Sequence, residues 1–170
     1  EAEFGFSVDY LVNGSREKIL TKISQLRKGL GPKDSLLIYY AGHGTYDREL
    51  NMGFWQPVDA KPDQDFTWID TNRLSKRLST FTSRNILVVA DSCFSGAVFR
   101  GADAESNDVA GSAWAFQSLI DKRTRLALTS GGMEPVLDSL GEGENSIFAQ
   151  EFMKSLTRGK NIFSAGQLFE

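Results

Sequence analysis

The sequence predicts an α/β fold with a mainly parallel central sheet, on three observations. Ser35-Leu36-Leu37-Ile38-Tyr39-Tyr40-Ala41 and Asn85-Ile86-Leu87-Val88-Val89-Ala90 are apolar runs bounded by turn residues, and both read as strands covered on two faces. Between them Leu74, Leu78 and Phe81 recur at helical spacing, so the order is strand, helix, strand, which favours parallel pairing. Each run is followed at once by a small polar segment, Gly42-His43-Gly44 after the first and Asp91-Ser92-Cys93 after the second. These segments hold the only histidine and the only cysteine of the chain.

The remaining elements follow in order. Phe6 to Val12 reads as a further strand. Ser15 can cap a helix in which Ile19, Ile23, Leu26 and Leu30 form one apolar stripe, ended by Gly29 and Gly31-Pro32. Phe54-Trp55-Gln56-Pro57-Val58 is apolar but broken by proline, which suits an edge strand or hairpin arm. Residues 59–70 form an acidic loop, and Ser95-Gly96-Ala97-Val98 begins a short helix. Gly101 to Ser112, small and acidic without periodicity, is the expected mobile loop. Arg125 to Thr129 reads as a strand, and Asn145 or Ser146 caps a helix carrying Ile147, Phe148, Phe152 and Leu156 on one face.

At 170 residues the chain fits one domain with a single core, 1–170. A net charge of -3 leaves no electrostatic footprint for nucleic acid. No apolar run approaches the roughly 20 residues that span a bilayer, so neither a membrane nor a polyanion is expected as partner, and a cytoplasmic location is. One cysteine cannot close an internal disulfide, and with one histidine it leaves no Cys/His zinc set.

Ligand sites in open α/β sheets lie outside the carboxyl ends of the strands, so the two polar segments are expected at one edge, with His43 and Cys93 together. A thiolate is the nucleophile, yet a free cysteine with a pKa of about 8.5 is mostly protonated at pH 7. An adjacent imidazole can take that proton and later return it to a leaving amine. Asp91 shares the strand parity of Cys93 and offers a carboxylate that would attract a basic side chain and repel an acidic one.

Four blocks, Tyr39-Tyr40-Ala41-Gly42-His43-Gly44, Trp55-Gln56-Pro57-Val58-Asp59, Asp91-Ser92-Cys93-Phe94-Ser95-Gly96 and the segment Thr129 to Asp138, carry a resemblance to caspase-like cysteine proteases. It is closer to bacterial caspase-family proteins and metacaspases (peptidase family C14) than to animal caspases. The resemblance implies a three-layer sandwich with helices on both faces, here without its first strand and C-terminal end, as expected of a piece of a longer protein. It also implies a His43–Cys93 dyad and an oxyanion hole from the backbone N–H groups of Gly44 and Cys93. Asp91 stands where animal caspases carry glutamine, and the related basic-specific enzymes use it to bind Arg or Lys before the cleaved bond. Ser130, Gly131 and Asp138 fall in a segment that borders the substrate cleft in metacaspases.

The function expected is therefore a cysteine endopeptidase acting on polypeptides with a basic residue before the scissile bond, with regulatory domains or partners. Arg100, Lys122, Arg123 and Arg125 are the candidates for self-cleavage. No cofactor is required. Calcium is the lesser expectation at Asp59, Asp63, Asp65 and Asp70, since the spacing is no EF-hand and Asp70 can instead cap the helix carrying Leu74. The competing readings are a catalytically silent caspase-like module in a signalling or defence assembly, and an acyl hydrolase or transpeptidase using the same dyad.

Overall fold

The computed structural model describes residues 5–92, 124–130 and 145–158. Three strands, β1 (Ser35–Ala41), β5 (Asn85–Asp91) and β6 (Thr124–Thr129), form a parallel sheet in the order β1-β5-β6. A smaller antiparallel sheet contains β2 (His43–Asp47), β3 (Met52–Gln56) and β4 (Ile69–Asp70), with β3 in the middle. Among the described residues the helices are α1 (Arg16–Gly29), α2 (Thr71–Ser79) and α3 (Ile147–Arg158).

Each helix starts where a side-chain oxygen replaces a missing backbone acceptor. Ser15 Oγ accepts from Lys18 N, Asp70 Oδ1 accepts from Asn72 N at 2.8 Å and Arg73 N at 3.1 Å, and Ser146 Oγ accepts from Ala149 N at 3.0 Å. Helix α1 stops after Gly29, where the Leu30 N–H returns to the Leu26 carbonyl and Pro32 follows. Thr71, fully buried, donates its hydroxyl to the Gly53 carbonyl and so fastens α2 to β3.

The strand period of two sorts the core into two layers. Ile86, Val88 and Ala90 of β5 face Ile23 of α1, Leu74 and Leu78 of α2, Phe81 and Trp55, with Ile19, Leu26 and Leu30 packed alongside. Val89 faces the other way against Phe152 of α3, with Leu87, Leu128, Phe148 and Leu156 around them. Full burial of a side chain of this size is worth about 1.5–3 kcal/mol, so β5 anchors both layers. Helices on both faces of a parallel sheet make the three-layer α/β arrangement expected from the sequence.

Three expectations need correction. Phe6 to Val12 forms no strand: a strand needs a neighbour for its backbone N–H and C=O groups, and among the described residues none pairs with it. Its side chains stay exposed, with Tyr10 at 79% and Val12 at 80%. The segment around Trp55 is a hairpin arm, as one of its two readings has it, but the central strand of its sheet rather than an edge, and it ends at Gln56 before Pro57. Also, β1 lies at the edge of its sheet among the described residues, so only β5 has strands on both sides.

Candidate active site

Strands β1 and β5 pair in parallel from Ser35↔Asn85 to Ala41↔Asp91, with an offset of fifty residues at every step. The Gly42 N–H extends the ladder to the Asp91 carbonyl at 3.4 Å. His43 follows the last pair by two residues on one chain segment, and Cys93 follows it by two on the other. Their separation in sequence is thus the register offset itself. Cys93 lies outside the described residues, as do the expected helix near Ser95, Gly101 to Ser112, Gly131, Asp138, Arg100, Lys122 and Arg123.

His43 opens β2, exposed, opposite Gln56 of β3, and Gly44 lies opposite Trp55. The backbone here is set by Tyr40, whose ring stacks on Trp55 at 4.1 Å between centroids and 5° between planes. The Tyr40 hydroxyl donates to the His43 carbonyl at 2.8 Å, with the Gln56 carbonyl 3.3 Å away. Burial pushes this phenol up to about 12, so it stays a donor across the working pH range. Gly42 leaves room for the arrangement: a Cβ there would lie 2.9 Å from the Tyr40 hydroxyl oxygen and 3.0 Å from Cζ.

Asp91 ends β5, partly buried. Its Oδ2 accepts from the Tyr39 hydroxyl at 3.0 Å and from the Ser146 hydroxyl at the start of α3. Burial first, then the Asp91 charge and the hydrogen bond to it, raise the Tyr39 phenol well above its ordinary value. The Tyr39 ring leans on Phe152 at 6.1 Å. Ser130, expected to line the substrate cleft, is placed where it grips the residue before Cys93. Its Oγ accepts from Ser92 N at 3.1 Å and lies 3.3 Å from the Ser92 carbonyl, while its own N–H donates to the Ala90 carbonyl at 3.0 Å.

The loop carboxylates do not gather. Asp59 accepts from Arg16 N at 2.8 Å and Asp70 caps α2, while Asp63 has φ 57° and Asp65 opens a 3-10 turn. Among the described residues no three acidic, histidine or cysteine side chains are grouped to hold a metal ion. Arg125 lies within β6, opposite Ile86, and its guanidinium donates to the carbonyls of Phe81, Ser83, Arg84 and Thr124. A peptide bond inside a sheet is not presented to a protease, so cleavage at Arg125 requires β6 to leave the fold.

Sequence reasoning anticipated a hairpin arm around Trp55 but missed its partner strand β2, although Thr45 and Tyr46 favour strands and Asp47 and Asn51 favour turns. In the structure Asp47 Oδ1 accepts from the N–H groups of Glu49 and Leu50, and Asn51 takes φ 53°. The roles of Tyr39 and Ser146 had no signal in either motif, since they meet Asp91 only through the fold.

The whole chain, residues 1–170, matches the caspase domain of the C14 peptidases, and it belongs to that family. The family is one of proteases, whose substrates are proteins. Among solved structures, protein GSU0716 from Geobacter sulfurreducens shares the fold, with a TM-score of 0.62 and 20% sequence identity over 98% of this chain and 72% of that one. No curated protein matches the sequence. Among the described residues no helix is long and apolar enough to cross a membrane.

Proposed function

We propose that this chain is a cysteine endopeptidase that cleaves after Arg or Lys with His43 and Cys93. The observation that carries the reading is the register of β1 and β5, whose last pair Ala41↔Asp91 stands two residues before His43 and, in sequence, two before Cys93. With the thiol proton on His43, the Cys93 sulfur attacks the scissile carbonyl and forms the S–C bond. The backbone N–H groups of Gly44 and Cys93 receive the oxyanion. The imidazolium gives its proton to the amine as the C–N bond breaks, and water then hydrolyses the thioester. The Asp91 carboxylate pairs with the basic side chain before the cleaved bond. Self-processing, if it follows the same preference, uses Arg100, Lys122 or Arg123.

The test compares peptides bearing Arg, Lys or Asp before the cleaved bond, using the full-length protein and Cys93→Ala, with and without calcium. Cleavage after Arg and Lys that vanishes in Cys93→Ala supports the reading. Cleavage only after Asp overturns the role of Asp91, and no cleavage under any activating condition favours a silent module. A new band in the active protein, absent from Cys93→Ala after long incubation, marks self-processing.

A further inference from the structure

An ionised carboxylate offers about four lone-pair positions, two on each oxygen, and a guanidinium gains its advantage over an ammonium by reaching both oxygens at once. At Asp91 one oxygen is already committed. Tyr39 and Ser146 both direct hydroxyl hydrogens to Oδ2, one from β1 and the other from the start of α3. Each side chain has a second contact that holds it in place. Ser146 Oγ receives the Ala149 N–H, which leaves its hydrogen for Asp91, and the Tyr39 ring is held beside Phe152. The Tyr39 phenol, 39% exposed yet raised well above its ordinary value, remains protonated and keeps donating.

We propose that Tyr39 and Ser146 tune how Asp91 reads a basic side chain: by filling Oδ2 they leave Oδ1 for the substrate, so that lysine is accepted nearly as well as arginine. The inference rests on Asp91 as the substrate-binding carboxylate, and it makes Tyr39 and Ser146 specificity-determining residues that never touch the reacting atoms. A single-oxygen site suits the compact ammonium of lysine, and it withholds the paired N–H bonds that distinguish arginine. Removing either hydroxyl restores a lone pair on Oδ2 and with it the second bond to a guanidinium.

The experiment uses the full-length protein and two peptides identical except for Arg or Lys before the scissile bond. The ratio of kcat/KM for the two is measured in the parent, Tyr39→Phe, Ser146→Ala and Ser146→Thr, and the ratio of Kd values is measured for the same series carrying Cys93→Ala. The parent ratio should lie within about threefold of one, and Tyr39→Phe and Ser146→Ala should each raise it about tenfold in favour of Arg, the worth of one added charged bond, through KM and Kd. Ser146→Thr, which keeps the hydroxyl, should return the parent ratio. Tyr39→Phe preserves the ring, so the test does not depend on Ser146, which also caps α3. An unchanged ratio in both variants, or a parent that already prefers Arg by more than about thirtyfold, overturns the proposal. A parent that hydrolyses neither peptide refutes the peptidase reading, yet a Kd ratio that moves as described still upholds the hydroxyl effect. Binding of neither peptide overturns both.

Discussion

On the His43 side of the sheet edge, the backbone is set by groups close in sequence. Tyr40 reaches over Gly42 to the His43 carbonyl three residues on, backed by Trp55 of the adjoining hairpin. On the Asp91 side the fixing groups come from far along the chain: Tyr39 from β1, Ser130 from beyond β6 and Ser146 from α3. The first region can hold its shape once one hairpin has formed, whereas the second exists only when three separate elements have docked. The histidine arm is therefore the locally determined half of the candidate site, and the arm leading to Cys93 is the half that reports on the whole fold.

That contrast is sharpened most strongly by Asp91→Asn. Losing the charge that Tyr39 and Ser146 hold in place should cost about a hundredfold in kcat/KM for peptides cleaved after Lys or Arg, since an unpaired charged partner costs 2–5 kcal/mol or more. A fall of less than about fivefold would show that Asp91 does not meet the substrate. On the other arm, Gly42→Ala should destabilise by about 1–3 kcal/mol, because the new Cβ displaces a hydroxyl that cannot swing aside without leaving its carbonyls. Denaturant titration checks this, and Gly42→Ala combined with Tyr40→Phe should lose less than the two changes summed.

Tyr40→Phe alone should cost about 1 kcal/mol. Its sign with pH is fixed: the folded phenol is pushed up to about 12 from an ordinary 10.0, so its contribution is complete below pH 10 and is lost as pH rises toward 12. Absorbance titration of the tyrosines should lose one late-ionising group in Tyr40→Phe and another in Tyr39→Phe. Ser130→Ala should cost about 1 kcal/mol and lower kcat more than it raises KM, with Ser130→Thr restoring kcat, because it frees the backbone before Cys93. The smallest effect is Asp70→Ala, which removes the α2 cap and about 1 kcal/mol of stability but should leave the Arg:Lys ratio alone.

Strand β5, the crossover helix and the α1 stripe were legible because burial writes an uninterrupted apolar run or a helical period into the sequence, and β1 carries the same kind of run although none of its residues is fully buried. The alignment of His43 with Asp91-Ser92 followed from strand order alone. What was not legible depends on partners rather than on local pattern. Phe6 to Val12 has the composition of a strand but no neighbour among the described residues, and hydroxyl groups such as those of Tyr39, Ser130 and Ser146 carry no mark of which distant atom they will meet. In the acidic loop the cap at Asp70 was legible from its place before the helix, whereas the bond from Arg16 N to Asp59 was not.

The fifty-residue offset also bears on how such a protein can change length. Between Ala41 and Asn85 lie the hairpin, the acidic loop and α2, all of which hang outside the parallel ladder. Hydrogen bonds between β1 and β5, not the distance along the chain, decide which residues emerge side by side, so an insertion at the hairpin tip around Arg48 and Glu49 alters the count and leaves the meeting point untouched. A slip of a single residue within the ladder is the opposite case, for it turns every side chain of one strand to the other face. The hairpin tip is open to molecular tinkering, and the seven paired positions of the ladder are not.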